Sequence, residues 1–217
     1  MKKRFILIAL VVICMILVII GLMRVYDSYD DVESINSQTN GDLSITIESI
    51  DLSDEQIQQI QSYPTKHKME YNYLEYDLLG AHAALIDDLS EVQNLFGGDL
   101  LMISMQKDVS KPYLFWADDS YLEMISPLME SEGIKCVLTV KAFYGDEDYT
   151  RINPMGMTEK GDECFTVNSS IGEIECIKTE TRTTAYAIHN HCLYMWEIYS
   201  NDKDKVTDIL NAVYKTN

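Results

Sequence analysis

The sequence predicts an α+β fold: an N-terminal transmembrane helix followed by a mainly antiparallel sheet with helices packed on one face. Three observations carry that reading. An uncharged apolar run opens the chain, strand and helix signals mix through its middle, and from Glu163 onward strand patterns follow one another directly before a closing amphipathic helix. Strands grouped together, with helices segregated from them, are the pattern of an α+β domain.

Residues Phe5 to Met23 read FILIALVVICMILVIIGLM, 19 positions without a charge. At about 1.5 Å per residue they cover roughly the hydrocarbon thickness of a bilayer. A soluble helix rarely stays apolar on every face for so long. Lys2, Lys3 and Arg4 precede the run, and Asp27, Asp30, Asp31 and Glu33 follow it, so the N-terminus is expected in the cytoplasm and residues from 25 onward outside. The run exceeds the ~7–15-residue core of a cleaved signal peptide and ends without a small-x-small site. The expected organisation is therefore an anchor at 1–24, an acidic flexible linker at 25–41 and an extracytoplasmic α+β domain at 42–217. The lipid bilayer is the first partner, through residues 5–23.

Within the outer part, Leu43, Ile45 and Ile47 alternate with polar residues as in a half-buried strand. Ser53 with Gln56 three residues on starts a helix that carries Ile57 and Ile60 and stops at Pro64. Met69, Tyr71 and Tyr73 alternate as a strand. Leu85, Leu89, Val92 and Phe96 recur at helical spacing, which predicts a helix over 81–96 closed by Gly97-Gly98. Strands are expected over 100–105 and 113–117. Asp118-Asp119-Ser120 offers caps for a helix reaching Glu132, broken at Pro127. Ile134, Cys136, Leu138 and Val140 form a strand. Four more follow at 163–168, 172–179, 183–189 and 192–200, and the last helix covers 202–214.

Charge sets the partner class. Lys and Arg total 17 against 35 Asp and Glu, a net of −18. Four of those bases flank the apolar run, so the outer part is more acidic still. Such a surface repels phosphate backbones, which excludes nucleic acid, and attracts cationic partners. A surface protein, a wall polymer or a small ligand fits this reading. No nucleophile motif, zinc-protease motif or cofactor fingerprint occurs, and no cofactor is expected. The predicted role is a non-catalytic binding or interaction module at the cell surface.

The strands around IGEIECIKTE and TAYAIHNHCLYMWEIYSN, with the closing helix KVTDILNAVYK, resemble the ends of uncharacterised single-pass ectodomain proteins of Gram-positive bacteria. In those a Trp-bearing strand precedes a short amphipathic helix. The resemblance implies membrane anchoring and this terminal architecture, and no activity.

Two clusters offer chemistry. Cys136, Cys164, Cys176 and Cys192 lie in an oxidising compartment and allow three pairings. A hairpin centred on Ser170 would oppose Cys164 to Cys176 within disulfide range, leaving Cys136 with Cys192. His189 and His191 would share a face if their strand were continuous, and with His67, His82 or a Glu could hold a divalent metal in a surface enzyme. Asn190 between them instead suits a tight turn. Asp146-Glu147-Asp148 reads as a solvated loop.

Overall fold

From Pro64 onward the chain is built mainly of strands: Tyr113–Ala117 and most of Ile134–Phe143 and Thr183–His189 are buried along their length, while Ala81 to Ala84 and Glu163–Ser169 alternate toward solvent. The computed structural model describes residues 47–105, 111–145 and 162–216. Among them these strands build a ten-stranded sheet in which every strand pairing is antiparallel, accompanied by three helices and a two-stranded ribbon. The elements run α1 (Asp54–Ser62), β1 (Thr65–Tyr71), β2 (Leu74–Ile86), α2 (Leu89–Leu95), β3 (Leu101–Ile103), β4 (Tyr113–Ala117), β5 (Tyr121–Ile125), β6 (Met129–Ser131), β7 (Ile134–Phe143), β8 (Glu163–Ser169), β9 (Gly172–Lys178), β10 (Thr183–His189), β11 (Cys192–Ile198), α3 (Lys203–Asn211) and β12 (Val213–Lys215).

The sheet is two meanders joined at one seam. Its order is β1-β2-β4-β5-β7-β11-β10-β9-β8, with β6 beside β7. The first meander ends at β7. The second begins at the far edge with β8 and works back, so that β11 pairs with β7 from Cys136↔Ile198 to Ala142↔Cys192. β12 pairs with β3. Predominantly antiparallel strands with few helices match the α+β, mainly antiparallel part of the fold class read from the sequence. The apolar run 5–23, the linker and the Asp146–Asp148 loop lie outside the described residues, and no helix among those described is long and apolar enough to cross a membrane.

Two expected helices are strands. Residues 81–86 form the second half of β2, held by β1 on one side and β4 on the other, and the helix there is only Leu89–Leu95. Ala81, Ala83 and Ile86 are buried while Leu85 is half exposed, so burial ignores the helical spacing. Tertiary pairing overrode the helix propensity of the alanines. Residues 121–131 are β5 and β6, not a helix, because Asp118 caps a turn: its Oδ1 accepts from Ser120 N at 2.7 Å and Tyr121 N at 2.9 Å. Tyr73 belongs to the β1–β2 turn, and the last helix stops at Asn211 before β12.

All three helices feed one layer on one sheet face. Ile60 of α1, Val92 and Leu95 of α2, and Val206 and Leu210 of α3 share a core with Phe115, Leu122, Leu138 and Trp196. Each such aliphatic side chain taken from water contributes about 1.5–3 kcal/mol. Gln56 ties two helices together. Its Oε1 accepts from Ser53 N at 2.8 Å, completing the cap of α1, and its Nε2 donates to the Asn94 and Leu95 carbonyls that close α2. The opposite sheet face carries two smaller clusters, one around Trp116 and one where Ile47 covers Phe143, Ile177, Tyr186 and Leu193.

Candidate functional site

The main irregularity of the sheet borders a cleft. Lys66 pairs with Ala81 and Lys68 with Asp77, so a single residue of β1, His67, faces three of β2, Leu78, Leu79 and Gly80. An insertion of this kind bends the strand and re-aims its side chains. Leu79 takes φ 51° and projects into solvent with 86% of its surface exposed. That conformation costs a leucine on the order of 1 kcal/mol or more, and such local strain gathers at functional sites. The Asp77 carboxylate steadies the bulge by accepting from Leu79 N at 3.2 Å. Gly80, at φ 94°, completes it beside the His67 ring.

The cleft beside this bulge has a volume of about 500 Å³. Leu52, Ile57, Ile60, Leu78 and Ala117 give it an apolar floor, while Asp77, Asp118 and Asp119 stand around it. No Lys or Arg is among its lining residues. Tyr144 reaches across it, and its hydroxyl donates to the Asp118 carbonyl. His82 Nδ1–H donates to the Tyr63 carbonyl at 2.8 Å, which leaves Nε2 as the ring's acceptor. Tyr63 itself is anchored by donating to Glu91 Oε1 at 2.6 Å, and burial followed by that bond pushes its pKa up to about 12. The histidine therefore stands on a fixed support.

The histidines expected to hold a metal are placed otherwise. His189 ends β10 and pairs with Cys192, while Asn190 and His191 form the two-residue turn, at φ 49° and 59°. Positive φ at both central positions is the hairpin geometry that Asn-Gly-like pairs favour. The His189 Nε2 is buried, whereas His191 is solvent-facing with Nδ1 at 3.2 Å from Glu48 Oε2. His67 and His82 lie on β1 and β2, and β2 is five strand positions from β10, roughly 24 Å at about 4.8 Å per strand. Among the described residues no three His, Cys, Asp or Glu converge on a metal position.

The cysteines are also apart. The β8–β9 turn is Ser170-Ile171, with Gly172 at φ 123° opening β9 and Ser169 Oγ donating to the Gly172 carbonyl at 3.0 Å. Cys164 therefore opposes Ile177, and Cys176 opposes Phe165. The one-residue shift from the expected register sends the two sulfurs to opposite faces of the sheet. Cys136 and Cys192 are six positions apart along the β7–β11 seam, about 20 Å. None of the four is disulfide-bonded. Burial raises all four thiols, Cys176 and Cys192 to about 12, so none is poised as a thiolate.

Of the cleft residues only His82 is a chemical candidate in the sequence; Ile57, Ile60, Asp118 and Asp119 read there as helix and cap residues. One signal was present: a glycine inside a strand pattern, in Leu78-Leu79-Gly80, marks a bulge. The chain matches no protein-family model, no curated protein and no solved structure.

Proposed function

We propose that this protein is a membrane-anchored extracytoplasmic binding module, tethered through residues 5–23, whose cleft beside the β2 bulge takes a cationic ligand with an apolar portion. One observation carries the reading: an apolar floor flanked by Asp77, Asp118 and Asp119, with no lysine or arginine lining it. An apolar chain entering the cleft leaves water, and an attached amine meets carboxylates that need no rearrangement to receive it. Asp118 gives one oxygen to three donors of its turn and Asp77 gives one to Leu79 N, so Asp77 keeps a free oxygen for a cation with less of its carboxylate committed than Asp118.

The test uses the full chain in nanodiscs of neutral lipid and a peptide alternating lysine with leucine. Saturable binding is expected, weakened at least tenfold (about 1.4 kcal/mol) by Asp77→Asn with Asp119→Asn. Glu180→Gln with Asp204→Asn removes the same charge elsewhere on the surface and should leave affinity within about twofold. Equal losses from both pairs would mean diffuse attraction to an acidic surface and would end the proposal. Protease added to intact cells should digest the outer domain, and its protection would invert the topology.

A further inference from the structure

We infer that His82 sets the ligand class of the cleft beside the β2 bulge: its Nε2 accepts an N–H of the bound cation, so the cleft takes a cation that carries N–H donors, as a primary ammonium does, and turns away a quaternary ammonium. This rests on the reading that the cleft binds a cationic ligand with an apolar portion. Charge alone does not separate the two cations, since both are positive and both can end an apolar chain. Hydrogen-bond donors do, because a primary ammonium is rich in them and a quaternary ammonium has none.

The histidine is held so that its acceptor has one setting. β2 is paired on both sides at this point, His82 standing opposite Thr65 of β1 and Ala117 of β4. Its Nδ1 lies 2.8 Å from the Tyr63 carbonyl, which can only accept. The Nδ1 proton is therefore committed there, and the neutral ring carries its lone pair on Nε2. Tyr63 is itself pinned at several atoms. Its amide donates to the Ile60 carbonyl at 3.1 Å, its hydroxyl donates to Glu91, and its ring meets the buried Phe115 edge-on, with centroids 5.7 Å apart. His82 lines the cleft, and its Nε2 makes no hydrogen bond among the described residues.

The polar groups around the cleft agree with that acceptor. Donors beside it are spent within the protein: the Tyr144 hydroxyl on the Asp118 carbonyl, Leu79 N–H on Asp77, and the Ser120 and Tyr121 amides on Asp118 Oδ1. The carboxylates of Asp77, Asp118 and Asp119 stand with His82 as acceptors. A quaternary ammonium calls instead for a cage of aromatic faces. Of the two tyrosines in the lining, Tyr121 already carries the Lys141 ammonium 3.7 Å above its ring. A cation without N–H groups would strip water from these acceptors and leave them unpaired, which is how a polar site rejects an analogue lacking the donor.

The experiment uses the full chain in nanodiscs of neutral lipid at about pH 8, where an ordinary imidazole is neutral. Two peptides of equal charge are compared, one alternating leucine with lysine and the other leucine with Nε-trimethyllysine. The trimethylated peptide should bind the parent protein at least about tenfold more weakly. His82→Asn puts an amide nitrogen where Nδ1 stands, keeping the bond to the Tyr63 carbonyl while removing Nε2. It should shrink the gap at least about threefold, through weaker binding of the lysine peptide. His82→Phe removes Nε2 with the ring's bulk kept and should do the same, while His82→Gln returns an acceptor near the Nε2 position and should keep the gap. Equal binding of the two peptides by the parent overturns the inference and leaves the cleft reading standing. So does a gap unchanged in both His82→Asn and His82→Phe, or one that His82→Gln loses as fully as they do. Saturable binding of neither peptide removes the cleft reading and the inference with it.

Discussion

Lys141 Nζ lies 3.4 Å from Glu123 Oε2 on the sheet face away from the helices, and the same ammonium sits 3.7 Å above the Tyr121 ring. The pair is mostly shielded from water, and burial raises the Glu123 pKa from its ordinary range while Lys141 pulls it back. An ionised carboxylate here is tolerable because of its lysine. Lys141→Met should therefore destabilise the fold by about 2 kcal/mol at neutral pH, as expected when one member of a shielded pair is left alone. Glu123→Gln should cost under about 1 kcal/mol, since Lys141 keeps the Tyr121 face and can reach water. The folded Glu123 takes up its proton at higher pH than the unfolded chain does. The Lys141→Met deficit should thus shrink as pH falls from neutrality toward the ordinary carboxylate range. Chemical denaturation of both variants across pH checks this, and equal losses would refute it.

The β1–β2 hairpin tip is pinned by Asn72, whose Nδ2 donates to Ser126 O at 2.9 Å and whose Oδ1 accepts from Leu128 N at 2.8 Å. Asn72 also takes φ 50°, which asparagine tolerates better than most residues. Two effects can be separated. Asn72→Gly keeps the backbone at ease and loses both bonds, for about 1–2 kcal/mol; Asn72→Ala should cost about 1 kcal/mol more. Melting curves that rank alanine at or above glycine would show that the backbone is not under this constraint.

His189 gives the fold a pH dependence with a defined sign. Its Nε2 is buried without a hydrogen-bond partner among the described residues. Burial, aided by Lys215 and opposed by Asp99, holds its pKa below the ordinary 6.5. The unfolded chain then protonates first, so stability should be lost as pH falls through 6.5 toward the folded-state value. His189→Phe should flatten the melting temperature between neutrality and mild acid relative to the parent protein. A variant with the parent's slope in that window would assign the effect to another group.

These residues show which parts of the sequence spoke for themselves. Ser53 with Gln56 and Pro64 are local signals, and α1 begins and ends where those residues demand. The strands of the second meander were legible because its hairpins are short, but the β8–β9 register falls one residue from the Ser170-centred expectation. The misread stretches are those in which one residue type serves two structures. Asp118 suits a helix cap or a turn, and the alanines of β2 accept either backbone until β1 and β4 close on them. The cleft was hidden for a related reason. It is lined by α1, β2 and the β4–β5 turn, and no local pattern reports that they meet.

Thr216 locks the β3–β12 ribbon onto the start of β3. Its Oγ1 accepts from Leu100 N at 2.8 Å and from Gln93 Nε2 at 2.7 Å, and its own amide donates to Leu100 O at 2.9 Å. The residue is buried, so a lost acceptor is not replaced by water. Thr216→Val keeps the shape and the backbone bond but leaves Leu100 N without its acceptor, which should cost about 1–3 kcal/mol. Thr216→Ser keeps the hydroxyl and should cost under about 1 kcal/mol, mostly for the missing methyl. The position of the loss is as telling as its size. Hydrogen exchange in the valine variant should quicken first at the amides of 100–103 and 213–216, while the β7–β11 seam stays protected. Uniform acceleration across the sheet would mean that Thr216 supports the whole domain, not the ribbon alone.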